Sequence, residues 1–201
     1  MNRNRFLAIA AALLALVVSA PAQVTTWQID PVHSFAQFSV RHMMVSNVRG
    51  EFTKCTGTIQ LDPKDITQST LEATLDATTI NTREAKRDAH LKSPDFFDVA
   101  QFPTLTFKSK KITRNGKDGL QVIGDLTIHG VTREVTLDVE GPTPPQKDPG
   151  GNLRIGASGR TKVNRKDFGL NWNRALDAGG VLVGDDVTIT LDVELVNKKA
   201  S

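Results

Sequence analysis

Residues 120–140 read LQVIGDLTIHGVTREVTLDVE. Leu120, Val122, Gly124, Leu126 and Ile128 recur every second position. After His129-Gly130 the same period resumes with Val131, Arg133, Val135, Leu137 and Val139, opposed by Thr132, Glu134, Thr136, Asp138 and Glu140. A period of two places alternate side chains on opposite faces of a strand, one dry and one wet. The two runs are therefore strands, and His129-Gly130 is the turn between them.

The same period runs through the rest of the chain. Ala36, Phe38 and Val40 alternate with Gln37, Ser39 and Arg41. Gly57-Ile59-Leu61, Leu71-Ala73-Leu75-Ala77, Leu105-Phe107, Ile155-Ala157-Gly159 and Val187-Ile189-Leu191-Val193-Leu195 repeat it. Threonine and valine suit strands better than helices. About eight strands are counted by this period. Asn115-Gly116 and Lys117-Asp118-Gly119 supply a further turn, and Gly141 to Asn152, GPTPPQKDPGGN, forms a connector long enough to be mobile. One segment departs from the pattern. Asn81-Thr82-Arg83-Glu84 resembles a capping box, REAKRDAHLK has helical composition, and Ser93-Pro94 stops the helix and is placed to cap a second short one. A single all-β domain with a helical insertion around residues 83–98 follows. Its two usual solutions are an antiparallel barrel and a sandwich. Closure removes exposed edges, and a small barrel has room for one small ligand.

Residues 1–22 carry a basic start, an apolar run from Phe6 to Val18 and the small-x-small pattern Ala20-Pro21-Ala22. This is the pattern of a secretory signal peptide cleaved near Ala22, with the remainder periplasmic or secreted. The expected mature chain, residues 23–201, has 179 residues, enough for one core and with no further membrane span foreseen. Losing Arg3 and Arg5 brings its net charge from +3 to +1. A near-neutral surface offers nucleic acid no electrostatic footprint. The sole cysteine, Cys55, cannot form an internal disulfide. It shares parity with Gly57 and Ile59, which makes it a small buried apolar residue.

Little in the sequence points to catalysis, a metal or a cofactor. His33 and His42 are nine apart and face opposite ways on a continuous strand, His90 falls in the helical segment and His129 in a turn. Metal-ligand spacings, a nucleophile elbow and a phosphate loop are missing. Large apolar residues instead gather outside the strands: Met43, Met44, Phe96, Phe97, Phe102, Phe168 and Trp172. They suit either a plug or a greasy mouth over a hollow interior. Gly57, Ala73, Ala77, Gly124, Ala157 and Gly159 occupy inward positions and would leave room inside.

Four ordered motifs carry a resemblance: WQIDPVHSFAQFSVRHMMVSNVRGEF, RDAHLKSPDFFDVAQFPTLTFKS, GDLTIHGVTREVTL and VNRKDFGLNWN. From Trp27 to about Leu195 the chain resembles the YceI-like family of polyisoprenoid-binding, lipocalin-like proteins. The resemblance implies an eight-stranded antiparallel barrel with a short helical insertion near its opening. It also implies an elongated apolar cavity for an isoprenoid or other long amphiphilic lipid, a periplasmic or secreted location, and often a homodimer. The expected role is a carrier or sequestering protein without catalysis. The wall candidates are Phe38, Val40, Ile59, Leu75, Phe107, Leu126 and Ile189. The mouth candidates are Met44, Phe97, Phe168 and Trp172, and the head-group candidates are His42, Arg49, Arg87 and Asn164. The rivals are an enzyme acting on a lipid or quinone and an interaction module for a membrane redox protein.

Overall fold

The computed structural model describes residues 23–117, 119–177 and 179–198; the leader pattern of residues 1–22 lies outside them. The elements are β1 (Thr25–Ile29), β2 (Phe35–His42), β3 (Ser46–Phe52), β4 (Cys55–Leu61), β5 (Thr70–Asp76), β6 (Ile80–Asn81) and α1 (Ala85–Lys92). Then follow β7 (Thr104–Asn115), β8 (Gly119–Ile128), β9 (Val131–Glu140), β10 (Gln146–Lys147), β11 (Leu153–Asn164) and β12 (Val183–Asn197).

The hairpin of residues 119–140 forms as its alternation requires. β8 and β9 pair without a break from Gly119↔Glu140 to Ile128↔Val131. His129 and Gly130 both take positive φ, 51° and 72°, the geometry of a tight turn that matches strand twist.

The remaining strands close a barrel. β1 with β2, β3 with β4 and β5 with β6 are three long strands, each interrupted once. β1 pairs β4 and β2 pairs β3, while β4 pairs β5 and β3 pairs β6. The order then continues β5, β7, β8, β9, β11, β12. β12 finally returns to both β1 and β2, so the ring holds eight antiparallel strands in chain order. Closure is the solution that leaves the fewest edges unpaired.

Two local readings need correction. The proline-rich connector is not a free loop: Thr143 N donates to the Gly156 carbonyl at 2.8 Å, and β10 pairs β11. The helix stops at Lys92, but Ser93-Pro94 opens turns rather than a second helix, with Asp98 at φ 43°. The N-cap is Glu84, whose carboxylate accepts from Arg87 N at 2.6 Å; Asn81 instead turns back to accept from Arg83 N.

Apolar side chains fill one barrel end. Phe52, Ala77, Ile80, Leu105, Ile128, Val163, Phe168 and Leu170 form a single buried cluster there, with Leu91 of α1 and Phe97 packed against it. The β11–β12 connection folds over this end and is held by Arg165, only 4% exposed. Its guanidinium donates to the carbonyls of Leu170, Trp172, Val183 and Gly184 and reaches the Asp185 carboxylate at 3.5 Å. Buried charge is tolerated where every donor finds an acceptor. Two further clusters line the barrel wall, one around Trp27, Cys55 and Leu195 and one around Phe107, Val122 and Leu137.

Candidate functional site

Between these clusters lies an apolar cavity of about 210 Å³. Its extent follows from the inward residues of each strand. On β12, Ile189, Leu191, Val193 and Leu195 border it, whereas Val187 packs on the Phe168 cluster. On β11, Ile155, Ala157, Gly159 and Thr161 border it, whereas Val163 belongs to that cluster. The cavity therefore stops at the level of Phe38, Ile189 and Thr161, which are cross-strand partners. Its other end is bordered by Leu61, Ile66 and Ser69 around the β4–β5 connection and by Pro142 after β9. At about 3.4 Å per residue, Ile189 to Leu195 spans about 20 Å along the strand.

Six of the seven wall candidates border this space: Phe38, Ile59, Leu75, Phe107, Leu126 and Ile189. Val40 does not. It shares their parity but lies one inward step beyond the cavity's end, level with Val187. Small inward residues divide similarly. Ala73, Ala157 and Gly159 border the cavity, but Ala77 is fully packed. The space over Gly57 and Gly124 is filled by Ile29 and by the ring of Phe107.

The four mouth candidates sit elsewhere. Phe168 is 1% exposed at the centre of the end cluster, and Phe97 meets Phe52 edge-on at 5.6 Å. Trp172 packs on the rings of His90 and Phe96, at 4.7 and 5.3 Å. Met44 is 55% exposed at the β2–β3 turn, where it and Met43 have positive φ. The three aromatic residues pack over the barrel's end because burying aromatic area there is more favourable than leaving it at a wet rim.

None of the head-group candidates borders the cavity. Arg87 is committed to Thr82, donating from Nε to the hydroxyl and from Nη2 to the carbonyl, both at 2.8 Å. Asn164 caps the turn after β11 by accepting from Lys166 N. Arg49 is exposed, paired opposite Ser39 on the outer face, and His42 ends β2 opposite Ser46. Arg49 and Asn164 take outward positions of their strands, Arg87 lies in α1, and His42 keeps inward parity but stands at the last residue of β2, beyond the cavity's end.

Several wall residues carried no sequence signal. Ile112 faces inward with Phe107 because a bulge between Ser109 and Lys111 shifts the alternation by one. Ile66 and Pro142 come from connections. Cys55 is 4% exposed and also borders the space; burial pushes its thiol pKa up.

Among the described residues the lining carries no charged side chain. Charge is concentrated outside. Arg154 joins Asp30, Asp148 and Glu194 across the outer wall, and His33 Nδ1 lies 3.0 Å from Asp30. Arg154 and the other hydrogen bonds hold the carboxyls of Asp30 and Asp148 below the usual range, Asp148 at about 2. Asp30, His33 and Glu194 also bring three possible metal-ligand atoms together, but both carboxylates already accept from the Arg154 guanidinium. The outer faces of β5, β7, β8 and β9 carry the exposed pairs Lys108–Glu72, Lys110–Asp125 and Lys110–Glu134. Among the described residues no helix is long and apolar enough to cross a membrane.

A closed barrel around an apolar space invites comparison with known proteins. The sequence model of the YceI-like domain family matches residues 27–195. The chain belongs to the YceI-like domain family. A UPF0312 protein of Staphylococcus aureus (strain N315) is 37% identical over 171 residues, covering 85% of this chain and 97% of its own. The crystal structure of Burkholderia cenocepacia BcnA superposes with a TM-score of 0.70 at 22% identity, over 83% of this chain and 98% of that one. A polyisoprenoid binding domain from Saccharophagus degradans superposes with a TM-score of 0.64 at 15% identity, over 88% of this chain and all of that one. At these identities the two structures establish the shared fold, the YceI-like barrel.

Proposed function

We propose that this YceI-like protein binds an isoprenoid or similar long-chain amphiphilic lipid inside the barrel and carries or sequesters it, in the periplasm or after secretion. The observation that carries this is the cavity itself: about 20 Å of uncharged, largely apolar wall enclosed by paired strands. The structural likeness to the polyisoprenoid binding domain from Saccharophagus degradans supports the ligand class.

The energetics favour a chain over a compact ligand. A void of about 150 Å³ suffices for benzene, so 210 Å³ admits chain segments in single file. Burying a CH₂ contributes about 0.8 kcal/mol, hence about 4 kcal/mol at most for a five-carbon isoprene unit. A micromolar complex needs about 8 kcal/mol net, after association costs of several to more than ten. A few buried units therefore suffice with no strong head-group contact. Among the described residues that border the cavity only the Cys55 thiol is ionisable, which leaves little for general acid–base work on a bound lipid.

The test is purification from the native host, followed by native mass spectrometry and organic extraction. The expected result is a co-purifying long-chain lipid. A bare protein mass, together with no competition between isoprenoids and an apolar fluorescent probe, would overturn the proposal.

A further inference from the structure

The cavity lining contains five polar residues besides its apolar majority: Gln37, Ser69, Thr106, Ser158 and Thr161. Gln37, Thr106 and Ser158 alternate with inward neighbours, so their side chains project outward. Ser69 sits at the loop-bordered end, and its hydroxyl accepts from Asp62 N at 3.0 Å. Thr161 differs from all of them. It shares inward parity with Ile155, Ala157 and Gly159, borders the cavity at the end closed by the Phe168 cluster, and makes no side-chain hydrogen bond among the described residues. A hydroxyl has one proton to donate and two lone pairs to offer. Here those capacities open onto an otherwise apolar space.

We propose that the Thr161 hydroxyl is a polar anchor at the closed end of the cavity, hydrogen-bonding one small neutral group of the ligand: an alcohol, carbonyl or ether oxygen. The proposal rests on the cavity being the lipid site and adds the ligand's orientation and head-group chemistry. The polar terminus enters first and the chain trails toward Ile66 and Pro142. An anionic terminus does not suit this end. A charge buried without a partner is costly. Arg165, the only buried cation among the described residues, is already committed to four carbonyls. Phosphorylated chains should therefore bind tail-first, with the charge left at the loop-bordered end.

The experiment is competition against N-phenyl-1-naphthylamine by three C20 chains: geranylgeraniol, the corresponding hydrocarbon and geranylgeranyl phosphate. Each is titrated into wild type, Thr161→Val and Thr161→Ser, with folding checked by circular dichroism. One net hydrogen bond corresponds to about a 2- to 12-fold change in affinity. Thr161→Val should weaken geranylgeraniol by that factor and leave the hydrocarbon and the phosphate unchanged; Thr161→Ser should restore the alcohol. Equal losses for alcohol and hydrocarbon, no loss for either, or a loss confined to the phosphate would each overturn the anchor while leaving the cavity as a lipid site. If no chain competes in wild type, the lipid site itself fails and the anchor with it.

Discussion

A Cβ atom on Gly50 would fall 2.5 Å from Cζ of Phe38, its cross-strand partner. The ring thus occupies the place where a side chain would stand, and its tilted contact with Phe52, 5.9 Å between centroids, holds it there. Phe38 borders the cavity, so displacing the ring costs interior space. Gly50→Ala should push it inward and weaken binding of an apolar chain, while destabilising the fold by about 1–3 kcal/mol as overpacking does. Probe titration and urea unfolding measure the two effects; unchanged affinity would show that the ring yields elsewhere.

Ala157 borders the cavity from β11. Ala157→Phe fills part of it, so affinity should fall most for the longest isoprenoids and least for the shortest. A series of increasing chain length, titrated into wild type and variant, reads this directly. Equal losses at every length would mean that the chain does not extend past Ala157.

Cys55 is the sole cysteine, and the space it borders is the proposed lipid site. At ten times the Kd only about one protein in eleven is free, so alkylation of Cys55 by an apolar maleimide should slow about tenfold when geranylgeraniol is present. Mass spectrometry follows the rate. Labelling indifferent to the lipid would place the lipid elsewhere.

Arg154 lowers the carboxyl pKa of both Asp30 and Asp148. A carboxyl depressed in the folded state binds protons more readily when unfolded. Its stabilisation is therefore complete above the ordinary aspartate value near 3.9, and is lost as pH falls toward the folded value, about 2 for Asp148. Urea midpoints between pH 2 and 6 should show wild type losing stability over the acid window and Arg154→Gln losing less. Parallel curves for the two proteins would exclude the network as the cause.

Phe168 lies at the centre of the end cluster, away from the cavity lining. Phe168→Ala should cost about 3–5 kcal/mol in unfolding free energy, as aromatic truncations in cores do. The folded variant should keep its affinity for apolar chains. Lost binding with intact stability would return Phe168 to the role of a mouth residue.

The eight-membered ring was legible because each long strand carries at least one uninterrupted alternating run. β1 and β3 were not, since residues 30–34 and 53–54 break strands that tertiary pairing then rejoins. The same alternation placed six wall candidates beside the cavity, but it carries no mark of where the cavity stops and so also picked Val40; Ile112 was hidden by a bulge that leaves no mark in composition. The sequence left plug and mouth open for the aromatic candidates because both use the same side chains; only packing places Phe168 inside the end cluster. Arg87 looked available because a sequence does not show that Thr82, five residues back, already accepts its donors.

β12 bonds to β11 along one edge and to both β1 and β2 along the other. The interior thus has no wall between β11 and the strand formed by β1 and β2 until the fifteen residues of β12 arrive. Every other ring pairing joins long strands consecutive in the chain, but the seam joins residues as far apart as Gln28 and Val196. Loop-closure entropy makes such long-range pairing slow. The empty barrel and its hydrophobic lining should therefore appear together, late and in one step. Until then the incomplete sheet presents two sticky margins to any neighbouring chain.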